Sequence, residues 1–138
     1  MRAISRRSFL GLLAALWSGR AIAAPAPQHA SFVDAAFRMK KDAVAAGDQA
    51  YGAVVVRAGE IVGFGPSRVI AKRDDNAHAE REAIRDAQTR LGRADLSDCV
   101  MYSTSRPCAN CEQVAAGGRL ARMYYGSDAT DAGAPRAR

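Results

Sequence analysis

Two short segments of the sequence combine side chains that can hold a metal ion and move protons. In "AHAE", His78 and Glu80 are two residues apart, and in "PCANC", Cys108 and Cys111 are three residues apart. An imidazole and two thiolates are ligands that suit zinc. Each segment opens a run of helical composition, so we expect both motifs at helix N-termini, where free N–H groups and the helix dipole favour thiolate over thiol.

The sequence offers few candidates for a fourth protein ligand. His29 lies in a Pro/Ala-rich stretch and is predicted to be solvated, and Cys99 begins an apolar run, where a small packed thiol is the favoured interpretation. We therefore predict an open site, with a water in the fourth tetrahedral position. Zinc lowers the pKa of such a water toward ~7, and Glu80 is placed to transfer protons beside it.

Each of these residues alone has an ordinary structural explanation. His78 alone fits a helix start or a core position, and Glu80 alone fits a solvated helix face. The pair Cys108 and Cys111 alone fits a redox motif, as in thioredoxin-like folds. Both motifs together, in this order and each at the start of a helix, favour a zinc site.

The pattern of the chain predicts one α/β domain. The predicted elements are a helix from Ser31 to Gly47, a hairpin around Ala58-Gly59, a polar loop over 66–77, a helix over 78–91, a strand over 99–104, a helix over 108–116, a strand over 122–126 and a turn-rich tail. This alternation indicates three layers, with parallel pairing after the first hairpin. Both motif-bearing helices then begin at the same sheet edge, where the motifs can converge.

The two motifs together resemble the zinc deaminase signature, H-x-E followed by P-C-x-x-C. The stretches "GAVVVRAGEIVGFG", "AHAEREAIRDA", "LSDCVMYSTSRPCANC" and "RMYYGSD" are similar to the cytidine deaminase superfamily, in the branch of guanine deaminases and tRNA adenosine deaminases. The resemblance implies a three-layer α-β-α fold with a mixed central sheet. It also implies zinc-dependent hydrolytic deamination of a small nucleobase, nucleoside or related amino-heterocycle, with a guanine deaminase-like activity favoured.

The same resemblance implies a role for each matching residue. His78, Cys108 and Cys111 bind zinc. Glu80 takes a proton from the attacking water, passes it to a ring nitrogen of the substrate and then protonates the amine, so that ammonia leaves. The backbone N–H of Ala79 is a candidate to orient the substrate. Relatives are mostly dimers, which implies a homodimer.

Three positions bear on which substrate is bound. Ser67 stands where the family has a base-contacting Asn, so it keeps a hydroxyl but loses a bidentate amide. Arg106 replaces a family Glu before the Pro-Cys pair; the reversed charge either changes the electrostatics beside the metal loop or faces a different, anionic substrate. Asp131 lies in a segment where guanine deaminases place a base-recognising Asp; an ordinary turn residue is the alternative. Relatives also continue beyond the position of Arg138 with structure that closes the pocket, so an open pocket, or one closed by another chain, is expected here.

The N-terminus predicts export. Residues 1–23 combine the twin-arginine-type segment "SRRSFL", an apolar run too short to anchor the mature chain in a membrane, and a small-residue cleavage site ending at Ala23. A linker over 24–30 and a catalytic domain over 31–138 follow. Removal of the signal takes four arginines and lowers the net charge from +6 to +2, too little for a polyanion-binding claim. Export of an already folded protein would allow zinc to be loaded first, with the periplasm as destination.

Two other functions stay open from the sequence. One is a catalytically degenerate deaminase-fold protein that binds a ligand, which Ser67 and Arg106 motivate and the retained Glu80 opposes. The other is tRNA adenosine deamination, which requires the chain to stay in the cytoplasm. A small amino-heterocycle is the expected partner, and nucleic acid is not.

Overall fold

The computed structural model describes residues 29–137, so the predicted signal and most of the predicted linker lie outside the described residues. The helices are α1 His29–Ala45, α2 Val69–Lys72, α3 Ala79–Leu91 and α4 Ala109–Gly117. The strands are β1 Gly52–Arg57, β2 Glu60–Pro66, β3 Cys99–Ser103, β4 Arg122–Tyr125 and β5 Thr130–Gly133. No helix within this part of the chain has both the length and the apolar character needed to cross a membrane.

The strands form one mixed sheet in the order β2-β1-β3-β4-β5. Strand β1 pairs antiparallel with β2 and with β3, β3 and β4 are parallel, and β5 is antiparallel to β4. Helix α1 covers one face, and α3 and α4 cover the other. The predicted three-layer fold with a mixed sheet is therefore confirmed.

Side chains of the central strands point alternately to the two faces of the sheet and so contribute to two hydrophobic cores, one on each face. In β1, Ala53 and Val55 face α3, whereas Val54 and Val56 face α1, and all four are buried. Strand β3 alternates in the same way, with Met101 on the α3 side of the sheet. Because successive strand side chains point to opposite faces, a strand that is apolar throughout must be covered on both sides.

The topology brings the starts of α3 and α4 together. Strands β2 and β3 both run antiparallel to β1, so their carboxyl ends lie at the same sheet edge. Helix α3 follows β2 and helix α4 follows β3. Both helices therefore begin at this edge, as predicted from the sequence.

Two glycines in β2 allow α3 to lie directly on the strand. A Cβ at Gly65 would collide with the carbonyl oxygen of Ala79, and one at Gly63 would collide with that of Ala83. Alanines dominate the facing side of the helix; Ala79, Ala83 and Ala87 are each at most 1% exposed. This close approach fixes the height of the first turn of α3, which carries the H-x-E motif.

His29 corrects the predicted linker and the predicted solvation of this residue. Helix α1 begins at His29, two residues before the predicted start at Ser31. The His29 Nδ1 and the Tyr102 hydroxyl share a hydrogen bond of 2.7 Å, and the imidazole packs 4.8 Å from the Tyr124 ring centroid. The two tyrosines stack on each other with centroids 5.0 Å apart. Both belong to the hydrophobic cluster on the α1 face of the sheet.

Two short elements were missing from the prediction. Helix α2 interrupts the predicted polar loop, and β5 forms within the predicted turn-rich tail. Strand β5 has the sequence TDAG, which has weak strand propensity. Its pairing with β4, including Tyr125 opposite Thr130, makes it a strand.

We expect Gly65→Ala to destabilise the fold and disturb the first turn of α3. The added methyl group must displace backbone atoms, and overpacking of this kind costs about 1–3 kcal/mol or more. Urea unfolding followed by circular dichroism measures the loss. Gly117→Ala is the matched control because a Cβ there meets nothing within 4 Å. Equal unfolding free energies for the two variants would contradict the close-approach explanation.

Candidate metal centre and active-site cleft

The structure brings the two sequence motifs together at the sheet edge. The His78 Nδ1 lies 3.6 Å from the Cys108 Sγ and 3.4 Å from the Cys111 Sγ. These three ligand atoms all lie within 4.8 Å of one another, and no other cluster of this kind occurs in residues 29–137. The two motifs, which lie thirty residues apart in the sequence, therefore converge in the structure as predicted.

The spacing of the donor atoms fits a tetrahedral zinc ion. Zinc–nitrogen and zinc–sulfur bonds of about 2.1 and 2.3 Å at a tetrahedral angle place nitrogen and sulfur about 3.6 Å apart. The two His78 to cysteine distances, 3.6 and 3.4 Å, agree with this value. The donor set, one imidazole nitrogen and two sulfurs, is also the set that zinc favours over magnesium or calcium. The chain thus has a zinc-binding site with three protein ligands.

Two of the ligands occupy equivalent positions at their helices. His78 is the N-cap of α3 and Cys108 is the N-cap of α4, both with extended backbone. The His78 side chain makes no capping hydrogen bond, so its imidazole is free to turn toward the cysteines. The Cys108 Sγ accepts from the backbone N–H of Cys111 at 3.5 Å, which orients the sulfur.

Glu80 is a buried acid beside the cysteines. It is 6% exposed, and its Oε2 lies 3.7 Å from the Cys111 Sγ. Burial raises the pKa of Glu80 above its ordinary value, and hydrogen bonding to its own backbone N–H and the nearby His78 offset part of the rise. A carboxyl group with a raised pKa is suited to accept and return protons near neutral pH.

Burial also affects the thiol of Cys111. Desolvation, followed by the charge of Glu80, raises the pKa of this thiol far above its ordinary value. The thiol therefore keeps its proton until a cation displaces it, because metal binding requires thiolate and releases the proton. Cys99, by contrast, is fully buried on β3. It hydrogen-bonds Asp98, consistent with its interpretation as a packed thiol.

The cluster opens into a cleft of about 280 Å³. The residues that line it are Gln49, Tyr51, His78, Glu80, Ser105, Arg106 and Cys108. Drug-sized ligands occupy pockets of about 300–1,000 Å³, so this volume suits one small heterocycle. Gln49, Tyr51 and Ser105 were not identified from the sequence; Gln49 and Tyr51 immediately precede β1, and Ser105 lies between β3 and the Pro-Cys pair.

Ser67 is engaged away from the cleft. It is 2% exposed, its hydroxyl donates to Asp48 Oδ1 at 3.1 Å, and it is not among the cleft-lining residues. Ala79 is the first residue of α3, so its backbone N–H has no partner within the helix. Substrate binding by Ser67 and by Ala79 stays a prediction.

Asp131 lies on the edge strand β5. Its carboxylate accepts hydrogen bonds from Arg122 at 3.0 Å and from the backbone N–H of Gly133 at 2.8 Å. These two bonds lower its pKa, the backbone bond most strongly. The residue is exposed and is not among those that line the cleft, and its role in substrate recognition stays a prediction.

Comparison with known proteins places the whole motif region in one family. Residues 26–127 match the family described as "Cytidine and deoxycytidylate deaminase zinc-binding region". The chain belongs to this family. The match supports a hydrolytic C–N deaminase with a zinc cofactor, and the His-Cys-Cys cluster lies within the matched residues.

Two bacterial relatives illustrate the similarity. The chain is 35% identical over 105 residues to guanine deaminase of Bacillus subtilis, across 75% of this chain and 67% of that protein. It is 33% identical over 94 residues to tRNA-specific adenosine deaminase of Aquifex aeolicus, across 68% and 62% of the two chains. The match thus spans about two thirds of each relative.

Structural comparison gives the same family. The crystal structure of guanine deaminase from Bacillus subtilis superposes with a TM-score of 0.69 at 34% identity, covering 72% of this chain and 64% of that chain. The zinc deaminase fold inferred from the motifs is therefore confirmed.

We expect the purified protein to carry one zinc ion, and we expect His78→Ala and Cys108→Ala to lose it. Each variant removes one of three ligands, which leaves too few donors for tight binding. Metal content by atomic emission spectroscopy measures the stoichiometry. Cys99→Ala is the control, because it removes a cysteine outside the cluster. Retention of stoichiometric zinc by the His78 variant would show that the cluster is not the binding site.

Proposed function

We propose that this protein is a zinc-dependent hydrolase that deaminates a small nucleobase, nucleoside or related amino-heterocycle, most similar in activity to guanine deaminase. The observation that supports it is a buried carboxyl group, Glu80, beside a His-Cys-Cys cluster at a cleft of single-base size. When held by these ligands, zinc supplies a Lewis acid that makes a water nucleophilic at neutral pH.

Two residues of the chain supply the other functions that the reaction needs, which are proton transfer and orientation of the substrate. Glu80 accepts one proton from the attacking water and gives it to the ring nitrogen, and then takes the second proton of that water from the added hydroxyl group and gives it to the departing amino group. Its burial keeps bulk water from competing for these transfers. The first-turn N–H of Ala79 is positioned at the start of α3 to hold a substrate carbonyl or ring atom.

The second candidate function is deamination of adenosine in tRNA. The similarity to the Aquifex aeolicus enzyme, which is named for that activity, motivates it. Against it stand the predicted export of this chain and a net charge of only +2 after loss of the signal. A degenerate binding protein is disfavoured because Glu80 and all three ligand residues are present. A homodimer is proposed by analogy with the family.

We expect Glu80→Gln to lower kcat for ammonia release by about 10²- to 10⁴-fold, since it removes the proton-transferring group, while zinc content is unchanged. A coupled ammonia assay over guanine, adenine, cytosine and their nucleosides identifies the substrate class first. Glu82→Gln is the matched control, because this acid lies in the same helical turn but pairs with Lys72 at 2.7 Å. Zinc-loaded protein without turnover of any amino-heterocycle would contradict the proposal.

We also propose export to the periplasm through the twin-arginine-type signal over residues 1–23. N-terminal sequencing of the protein recovered from its native compartment should give a start at Ala24. Replacing Arg6 and Arg7 by Lys should leave the precursor uncleaved in the cytoplasm, because twin-arginine recognition depends on the arginine pair. Cytoplasmic recovery of the unprocessed wild-type chain would contradict export and strengthen the tRNA alternative.

A further inference from the structure

Arg106 is placed where it can contact a substrate in the cleft. It lies in the loop that follows β3, two residues before the ligand Cys108. Arg106 lines the same cleft as His78 and Glu80. Its backbone position is thus set by the end of β3 and by the start of α4, the helix that carries Cys108 and Cys111.

The guanidinium of Arg106 is not neutralised by a protein carboxylate. Within residues 29–137 it has no acidic group within 4.0 Å, whereas nearby cations such as Arg122 and Arg136 pair with Asp131 and Glu112. The Arg106 guanidinium carbon instead lies 5.9 Å from the Tyr125 ring centroid. A ring contact leaves the N–H groups at the edge of the guanidinium free to donate.

No acidic side chain of the cleft lining pairs with Arg106. Gln49, Tyr51 and Ser105 are neutral, and the single acid of the lining, Glu80, is 6% exposed and lies 3.7 Å from the Cys111 Sγ. A lone cation at the wall of a concave site concentrates positive potential there and attracts anions. The guanidinium fork also matches the two oxygens of a carboxylate or a phosphate.

We propose that Arg106 binds an oxyanion on the substrate, so that the preferred amino-heterocycle carries a carboxylate or phosphate group. This inference rests on the proposed deaminase function and narrows its substrate class. The amino-bearing ring enters toward Glu80 and the cysteines, and the anionic substituent lies at the wall formed by Arg106. The reversed charge that the sequence shows before the Pro-Cys pair is then a specificity determinant.

Matched substrate pairs test the preference. The zinc-loaded enzyme is assayed for ammonia release with cytosine against 5-carboxycytosine, and with cytidine and guanosine against their 5′-monophosphates. The expected result is a higher kcat/KM for the anionic member of at least one pair. The carboxylate pair and the phosphate pairs separate the two sources of the oxyanion. Higher kcat/KM for the neutral member of every pair would overturn the inference.

Substitutions then assign the preference to this residue. Arg106→Gln should lower the anionic-to-neutral ratio of kcat/KM by about 10- to 100-fold, the effect of losing hydrogen bonds to a charged group. Arg106→Lys should restore part of the ratio, because the charge returns without the fork. Arg38→Gln on α1, which is also exposed but lies outside the cleft, is the matched control. An unchanged ratio in Arg106→Gln would overturn the inference.

Failure of the deaminase proposal can be told apart from failure of this inference. If no compound releases ammonia, the proposed function fails. Whether Arg106 binds an oxyanion is then tested by calorimetry, which measures the binding of 5-carboxycytosine and cytidine 5′-monophosphate to the zinc-loaded protein. Tighter binding than the neutral partner, lost in Arg106→Gln, would support an oxyanion site. Equal binding of charged and neutral partners would overturn it.

Discussion

The close packing of α3 on β2 is the constraint on which the site depends. Gly63 and Gly65 leave no side chain between strand and helix, and alanines face them from α3. The helix backbone can then approach the sheet closely. This approach sets the position of the first turn of α3, which carries Glu80, relative to the start of α4. A longer residue at Gly65 must push Ala79 outward, and with it the ligand that immediately precedes it. The geometry of the site at the sheet edge therefore depends on Gly63 and Gly65, because side chains at these positions would push α3 away from β2.

The second requirement is that the acid and the cation of the cleft lie in different environments, with Glu80 buried and Arg106 exposed. Glu80 is buried among the ligands, where desolvation raises its pKa above the ordinary value of a carboxyl group. Arg106 lies at the exposed wall beside the Tyr125 ring, and no carboxylate among residues 29–137 pairs with it. The separation matters, because a guanidinium paired directly with Glu80 would stabilise its ionised form and lower its pKa.

The opposite face of the sheet has a structural role. There α1 is held by Val54, Val56 and the stacked Tyr102 and Tyr124, and the His29 imidazole hydrogen-bonds the Tyr102 hydroxyl. Burial, followed by the neighbouring Tyr124, raises the pKa of Tyr102 to about 12. The phenol therefore stays neutral across the physiological range and keeps its hydrogen bond with the His29 imidazole.

The sequence by itself determined the chemistry of this protein, because the information is local. H-x-E and P-C-x-x-C each lie within one helix start, and apolar alternation in β1 and β3 marks a sheet covered on both faces, so the ligands, Glu80 and the layers could all be predicted. Tertiary structure decided what depends on partners distant in the chain. His29 meets Tyr102 across 73 residues, and β5 is a strand only through its pairing with β4. Ser67 is turned to Asp48, and Gln49 and Tyr51 become cleft walls only because the segment between α1 and β1 lies beside the starts of α3 and α4. Spacing along the chain predicts groups within one turn of helix, whereas contacts between separate elements are set by how closely those elements pack.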